Sequence, residues 1–212
     1  LRILRDYREK PGLLAPLADF NQRLAETGAQ LIYYRASFVT KLFAHARAVH
    51  SECSGGAEEL NLTYTTVRGA ETSQPERAQI LAALLTRQAE LYDAELAAGQ
   101  CLVGAHKDDL EIAINGIAAR AFASQGQART AALSLKLAER DMMREDSGRP
   151  PLLLLDDVLS ELDATRRAFV LGRIGGGQTF ITSCEPIDAD AMRGASVLTV
   201  DSGELTEEER LC

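Results

Sequence analysis

From residue 17 to residue 50 apolar positions recur at helical spacing. Leu17, Leu24, Leu31 and Phe38 fall every seven residues, and Phe20, Tyr34, Leu42 and Val49 fill the same side. Arg23, Glu26, Arg35 and Lys41 lie off that stripe. The pattern predicts one long amphipathic helix whose stripe faces a core first and a partner groove second. Residues 51–59, around Ser54-Gly55-Gly56, read as a loop. Leu60 to Thr65 alternates as a strand does. A second helix is expected from Pro75 to Gly99. Ser73 and Glu76 fit a capping box, and Ile80, Leu81, Leu84, Leu85, Leu91, Tyr92 and Leu96 form its apolar stripe.

Beyond Gly99 the pattern changes. CLVG (101–104) is strand-like. Asn115-Gly116 between two alternating runs predicts a hairpin, because a type I′ turn needs positive φ at both positions. Residues 125–145 read as a helix with Ala128, Ala131, Ala132, Leu135, Ala138 and Met142 on one side. Then come a buried strand (152–155), a helix (163–172), a strand (178–183), a short helix (186–193) and a last strand (196–200). Strands alternating with helices at this spacing favour a parallel sheet covered by helices. The chain therefore divides into a mainly helical part with a short strand insert, 1–99, and an α/β part, 100–212.

Composition narrows the function classes. The 212 residues are 46% apolar and 25% charged, as in an ordinary globular protein that buries a core. A net charge of −8 argues against a surface that is basic throughout, though not against a local basic patch. Cys53, Cys101, Cys184 and Cys212 are widely spaced, so structural zinc and a disulfide framework are poorly supported. No apolar run approaches a membrane span. The chain opens at Leu1, without Met, in charged helix-like sequence, and we read this as a start in mid-protein.

Two stretches carry candidate chemistry. In LLLLDDVLSELD (152–163) an apolar strand ends in two adjacent carboxylates. A parallel strand delivers its last residues to the sheet edge where ligands of open α/β folds bind. Mg²⁺ takes one or two carboxylates plus phosphate oxygens, so Asp156 could hold the metal while Asp157 orients or deprotonates a water. The plainer alternative is a turn cap at Asp157 and a solvated Asp156. In ASQGQART (123–130), Ser124, Gln125, Gly126 and Gln127 stand where a helix begins. Free N–H groups and the positive end of the dipole make such a corner a phosphate site, although Ser124 as an ordinary N-cap explains it equally.

SxGQ opening a helix, an apolar strand ending in two acids, and then SELD resemble the signature motif, Walker B and D-loop of ABC-type ATPase heads. LVGAHKDDLEIAINGIAARAFASQGQARTAALSLKLAE (102–139) together with LLLLDDVLSELD is similar to the C-terminal half of the RecF family of bacterial DNA replication and repair ATPases. That family usually has proline where this chain has Ala105, and often arginine at the position of Lys107. The resemblance implies a partial P-loop (ABC-type) ATPase lobe over 100–212 and an arm domain over 1–99. It assigns Asp156 to Mg²⁺ and Asp157 to the catalytic acid, which is glutamate in most ABC heads. It assigns Ser124, Gln125, Gly126 and Gln127 to the γ-phosphate of ATP held by a second subunit. Ser160 and Asp163 match the D-loop. Thr182 or Ser183 stands where most ABC heads carry a switch histidine, and neither is one.

No GxxxxGK[ST] loop occurs, and Gly175-Gly176-Gly177 lacks its lysine. The resemblance places that loop upstream of Leu1, so this chain would carry the trans half of a composite site and bind ATP poorly alone. It further implies an ATP-dependent homodimer closing on duplex DNA near single-strand gaps, a RecR-type mediator, RecA loading downstream, weak DNA-stimulated ATPase activity, a role in recombinational repair and the SOS response, and a cytoplasmic, nucleoid-associated location with no membrane. Two other classes compete. A structural SMC-like chromosome-holding head calls for long coiled coils. A metal-dependent nuclease would be built on Asp156, Asp157 and Asp163. Lys136, Arg140 and Arg144, and separately Arg2, Arg5, Arg8 and Lys10, are candidate DNA-backbone contacts, more often solvated faces. The cluster His106-Lys107-Asp108-Asp109 reads as structural first and as domain coupling second.

Overall fold

The computed structural model describes residues 2–71, 75–184 and 195–208. The chain forms two compact units, residues 1–44 with 60–122, and residues 45–59 with 123–212.

The first unit contains α1 (Arg2–Asp6), most of α2 (Leu17–Cys53), β1 (Leu60–Thr65), α3 (Arg77–Glu90), α4 (Tyr92–Ala98), β2 (Asp109–Ile114), β3 (Ile117–Ala118) and α5 (Ala119–Phe122). Its core joins Ala25, Ala29 and Ile32 of α2 to Ile80 and Leu84 of α3, with Ala70, Val103 and Ala105. The seven-residue stripe drifts off this core: Leu17 is buried, but Leu31 and Phe38 are more than 40% exposed. A straight helix loses a strict heptad row by about 20° per repeat. The face that packs runs through small alanines, which let neighbouring helices come close.

β1 and β2 pair antiparallel from Leu60↔Ile114 to Thr65↔Asp109, and β3 returns against β2. The turn between them has positive φ at Asn115 and Gly116, as the Asn-Gly signal predicts. The expected CLVG strand does not form. The buried Glu95 carboxylate accepts from the N–H groups of Leu102 (2.6 Å) and Val103 (3.1 Å), so a side chain satisfies backbone that would otherwise seek a strand. The single helix expected to Gly99 is two, broken at Leu91, and Gly99 closes the second in a left-handed cap. Ser73 lies outside the described residues; at the start of α3, the Glu76 N–H donates to the Gln79 side chain.

Asp108 is a buried structural hub. It accepts from the hydroxyls of Tyr64 and Thr66 and from Arg35 at 3.1 Å, while Asp109 pairs with Arg120 rather than Lys107. Burial, and secondarily Asp108, push the Tyr64 phenol well above its ordinary range.

The second unit adds to the end of α2 the elements α6 (Gln125–Ser147), β4 (Leu153–Asp156), α7 (Ala164–Arg173), β5 (Thr179–Thr182), β6 (Val197–Asp201) and β7 (Glu204–Glu208). The loop expected at 51–59 starts later, since α2 runs to Cys53. β4 and β5 are parallel, in register from Leu153↔Thr179 to Asp156↔Thr182. β4 buries Leu153 and Leu155 and exposes Leu154, so the four leucines alternate between a packed and an open face. The last expected strand does not extend this parallel pair: β6 pairs antiparallel with β7 through a turn at Ser202-Gly203, both with positive φ. Polar ELTEE hid β7 from the hydrophobic pattern. The helix expected at 186–193 lies outside the described residues. Among the described residues, no helix is long and apolar enough to cross a membrane.

Arg140 corrects one basic row. Only 4% exposed, it donates to the carbonyls of Arg173 (3.0 Å), Ile174 (3.1 Å) and Gly175 (3.1 Å), closing the C-terminus of α7. It is a helix cap and no DNA contact. Lys136 and Arg144 lie near Glu139 and Asp141. Arg140→Met strands three carbonyls and should cost about 2–3 kcal/mol. Urea unfolding checks this: the midpoint should fall with the slope unchanged.

Candidate functional site

The two acids end β4, and one hydroxyl on β5 holds both. Thr182 Oγ1 donates to Asp156 Oδ1 and accepts from the Asp157 N–H at 3.0 Å. The parallel register that sets Asp156 beside Thr182 makes this possible. The Asp157 N–H also reaches the Thr182 carbonyl at 3.2 Å. Asp157 takes a left-handed φ of 52°, which costs an aspartate less than most residues. Its side chain accepts from Ser160 Oγ at 2.8 Å, and the same hydroxyl lies 2.9 Å from the Asp157 carbonyl. Both carboxylates are exposed. Of the two residues expected after β5, Thr182 touches the acids; Ser183 follows just past the strand.

Asp163 ends this loop as the N-cap of α7, its Oδ1 accepting the Arg166 N–H at 2.9 Å. Ser124 is the N-cap of α6 in a complete capping box. Its Oγ accepts from the Gln127 N–H at 3.2 Å, and its own N–H donates to Gln127 Oε1 at 3.0 Å. The box leaves the N–H groups of Gln125 and Gly126 without a partner among the described residues. Ser124 as an N-cap is therefore correct, and the cap still leaves two backbone donors unused among the described residues.

Arg166, which the sequence reading passed over, joins the two helix starts. Its Nε lies 3.5 Å from Asp163 Oδ2, and a Cβ on Gly126 would meet its Nη1 at 3.4 Å. The predicted residues thus form one run: Thr182 with both acids, Asp157 with Ser160, then Asp163 across Arg166 to Gly126. α6 and the acids also line one cleft of about 670 Å³, from Arg129 and Leu133 to Asp156 and Asp157. Most of that lining is apolar, and its carboxylate end would take a phosphate only through a bound cation.

Asp156 fits a hard cation. One oxygen is oriented by Thr182, and the other carries no hydrogen bond from the described residues. Asp156, Asp157 and Asp163 do not gather as three ligands; no group of three His, Cys, Asp or Glu placed for a metal occurs among the described residues.

No protein-family model matches the chain. It is 39% identical over 209 residues to the DNA replication and repair protein RecF of Pelotomaculum thermopropionicum, a match covering 96% of the chain and 56% of that relative. It is 39% identical over 212 residues to the RecF of Desulforamulus reducens, covering 99% of the chain and 56% of the relative. The chain belongs to the RecF family. It spans about half the length of the RecF proteins it matches, in their C-terminal part. Its fold follows a solved structure of the recombination mediator protein RecF-ATPrS in the RecFOR pathway, with a TM-score of 0.81 at 33% identity over 97% of this chain and 54% of that one. A second, of RecF-ATP in the same pathway, gives 0.77 at 35% identity over 90% of this chain and 49% of that one. The ABC-type ATPase fold with a parallel sheet and a helical region is therefore that of RecF.

Proposed function

We propose that this chain supplies the trans half of a composite ATP site in an ATP-dependent DNA-binding protein of recombinational repair and replication restart. The observation that supports this most is that the loop from Asp156 and Asp157 through Ser160 to Asp163 ends beside the Ser124–Gln127 corner, with Arg166 between them and exposed acids at its start.

Asp156 would hold Mg²⁺, which when bound supplies positive charge against the phosphate oxygens. Asp157 would orient the attacking water and take its proton, while the Ser160 hydroxyl fixes the carboxylate. Ser124 and the N–H groups of Gln125 and Gly126 would bind the γ-phosphate of ATP seated on a second copy. Ser160 and Asp163 would meet the same second copy. ATP would thus join two heads, close them on duplex DNA near a gap, and release them on hydrolysis. In the cytoplasm the partners would be DNA, a RecR-type mediator and, downstream, RecA.

The nuclease alternative loses support because its three aspartates do not gather. An SMC-like role is not favoured by any feature of the fold. Sedimentation with and without ATP, on wild-type protein and Ser124→Arg at natural length, tests the proposal.

A further inference from the structure

Beneath the two helix starts lies a ring of polar groups with no place in the mechanism above. Thr130 Oγ1 donates to the Gly126 carbonyl at 2.7 Å, and Ser134 Oγ lies 2.7 Å from the Thr130 carbonyl. Ser134 Oγ also meets His50 Nδ1 at 3.2 Å. His50 Nε2 faces Glu58 Oε2 at 3.2 Å, off the line of a hydrogen bond. Glu58 Oε1 lies 3.8 Å from Arg166 Nη2, and Arg166 returns to Gly126. Thr130, Ser134 and His50 are fully buried, and the Glu58 side chain is 12% exposed. Burial pushes the His50 imidazole below its ordinary range, against the pull of Glu58. The Ser134 hydroxyl donates its proton to the Thr130 carbonyl, so toward His50 Nδ1 it is an acceptor.

Such a ring is a poor source of stability. Apolar side chains of the same volume would pack at least as well without desolvating a carboxylate, a guanidinium and an imidazole. What it gives is geometry: one guanidinium lies within ion-pair range of carboxylates on two segments and beside a glycine on a third. Arg166 pairs with Asp163 at the start of α7 and with Glu58 below, and its guanidinium lies beside Gly126 at the start of α6. It also offsets two carboxylates that would otherwise repel a phosphate. Gly126 has its own part here. A Cβ there would come to 3.4 Å from the guanidinium Nη1.

The geometry points to Arg166 as the positioning residue that holds the Ser124–Gln127 corner and the Ser160–Asp163 loop as a single surface, grounded through Glu58 on His50 at the end of α2. This rests on the proposal that both loops face a second copy's nucleotide. Two loops that must meet one ligand together work only if their separation is fixed to a fraction of an ångström.

Arg166→Met keeps the stem and removes the fork. At natural length it should leave folding and per-subunit ATP binding intact and weaken ATP-driven self-association about tenfold. Hydrogen exchange should speed up about tenfold at the first turns of α6 and α7 together. Arg166→Lys keeps the charge without the fork, and should still loosen the α6 turn. Loosening confined to α7, with association unchanged, overturns the inference. Should Arg166→Met fail to fold, Glu58→Gln decides: faster exchange at the α6 turn supports the ring, and unchanged exchange sinks it. Exchange needs no nucleotide. A Ser124→Arg protein that still associates would therefore remove the ATP proposal while leaving the coupling result readable.

Discussion

With Ser124 replaced by arginine, the protein at natural length should no longer self-associate on adding ATP. The substitution acts twice. It removes the hydroxyl that accepts the Gln127 N–H, and it sets a long cation at an exposed corner where the proposal seats a partner's γ-phosphate. The bulk, more than the charge, decides the sign. An arginine reaching outward would attract a phosphate in solution, but its bulk would crowd the start of α6, where the N–H groups of Gln125 and Gly126 have no partner among the described residues. Those donors then cannot come within hydrogen-bond range. Association should weaken by ~100-fold or more, the scale of losing a central charged contact in an interface. The lost cap costs only about 1 kcal/mol of stability, so the subunit should still fold and bind ATP. Sedimentation gives the association and a thermal melt gives the fold. Wild-type association by a folded variant would mean that the corner does not face the nucleotide.

Asp157→Asn should show the opposite pattern, with association kept and turnover lost. Asparagine tolerates the left-handed φ of 52° as well as aspartate does, so the bend after β4 survives. The N–H bonds to Thr182 survive too, since they belong to the backbone. Ser160 can still donate to the amide oxygen. What disappears is the base, and single-turnover phosphate release should fall about 10²–10³-fold. ATP-bound dimers should then persist longer on DNA. Unchanged phosphate release would return Asp157 to the role of a turn residue and move the search for the base elsewhere.

The legible parts of the sequence share a physical trait: a strong local signal with one solution. Asn115-Gly116 fixes its turn because few other pairs accept positive φ twice. Ser124 with Gln127 announces the start of α6 through a reciprocal cap. The apolar run ending in Asp156-Asp157 marks a strand, although Leu152 and Leu154 lie on its open face. The hidden parts depend on tertiary partners. Arg140 reads as one of a basic row on a helix, yet it is buried because α7 ends against it. Thr130 and Ser134 look like surface hydroxyls, and the α6 face that packs includes them with Leu133 and Leu137 in place of Ala128 and Ala132. His50, Glu58 and Arg166 are spread along the chain, and no spacing rule links them. Thr182 is one of two candidates after QTFI, and only the β4–β5 register shows that its hydroxyl serves both acids.

The composite site can be tested by mixing two inactive proteins. One is Ser124→Arg. The other has an intact Ser124 and a disabled phosphate-cradling loop, which the RecF family is expected to carry outside residues 1–212. If the corner acts across the dimer, each hybrid holds one complete site, and ATP turnover should rise well above that of either component, to about half of wild type at most. A mixture that turns over no faster than its two components measured apart would contradict the shared site.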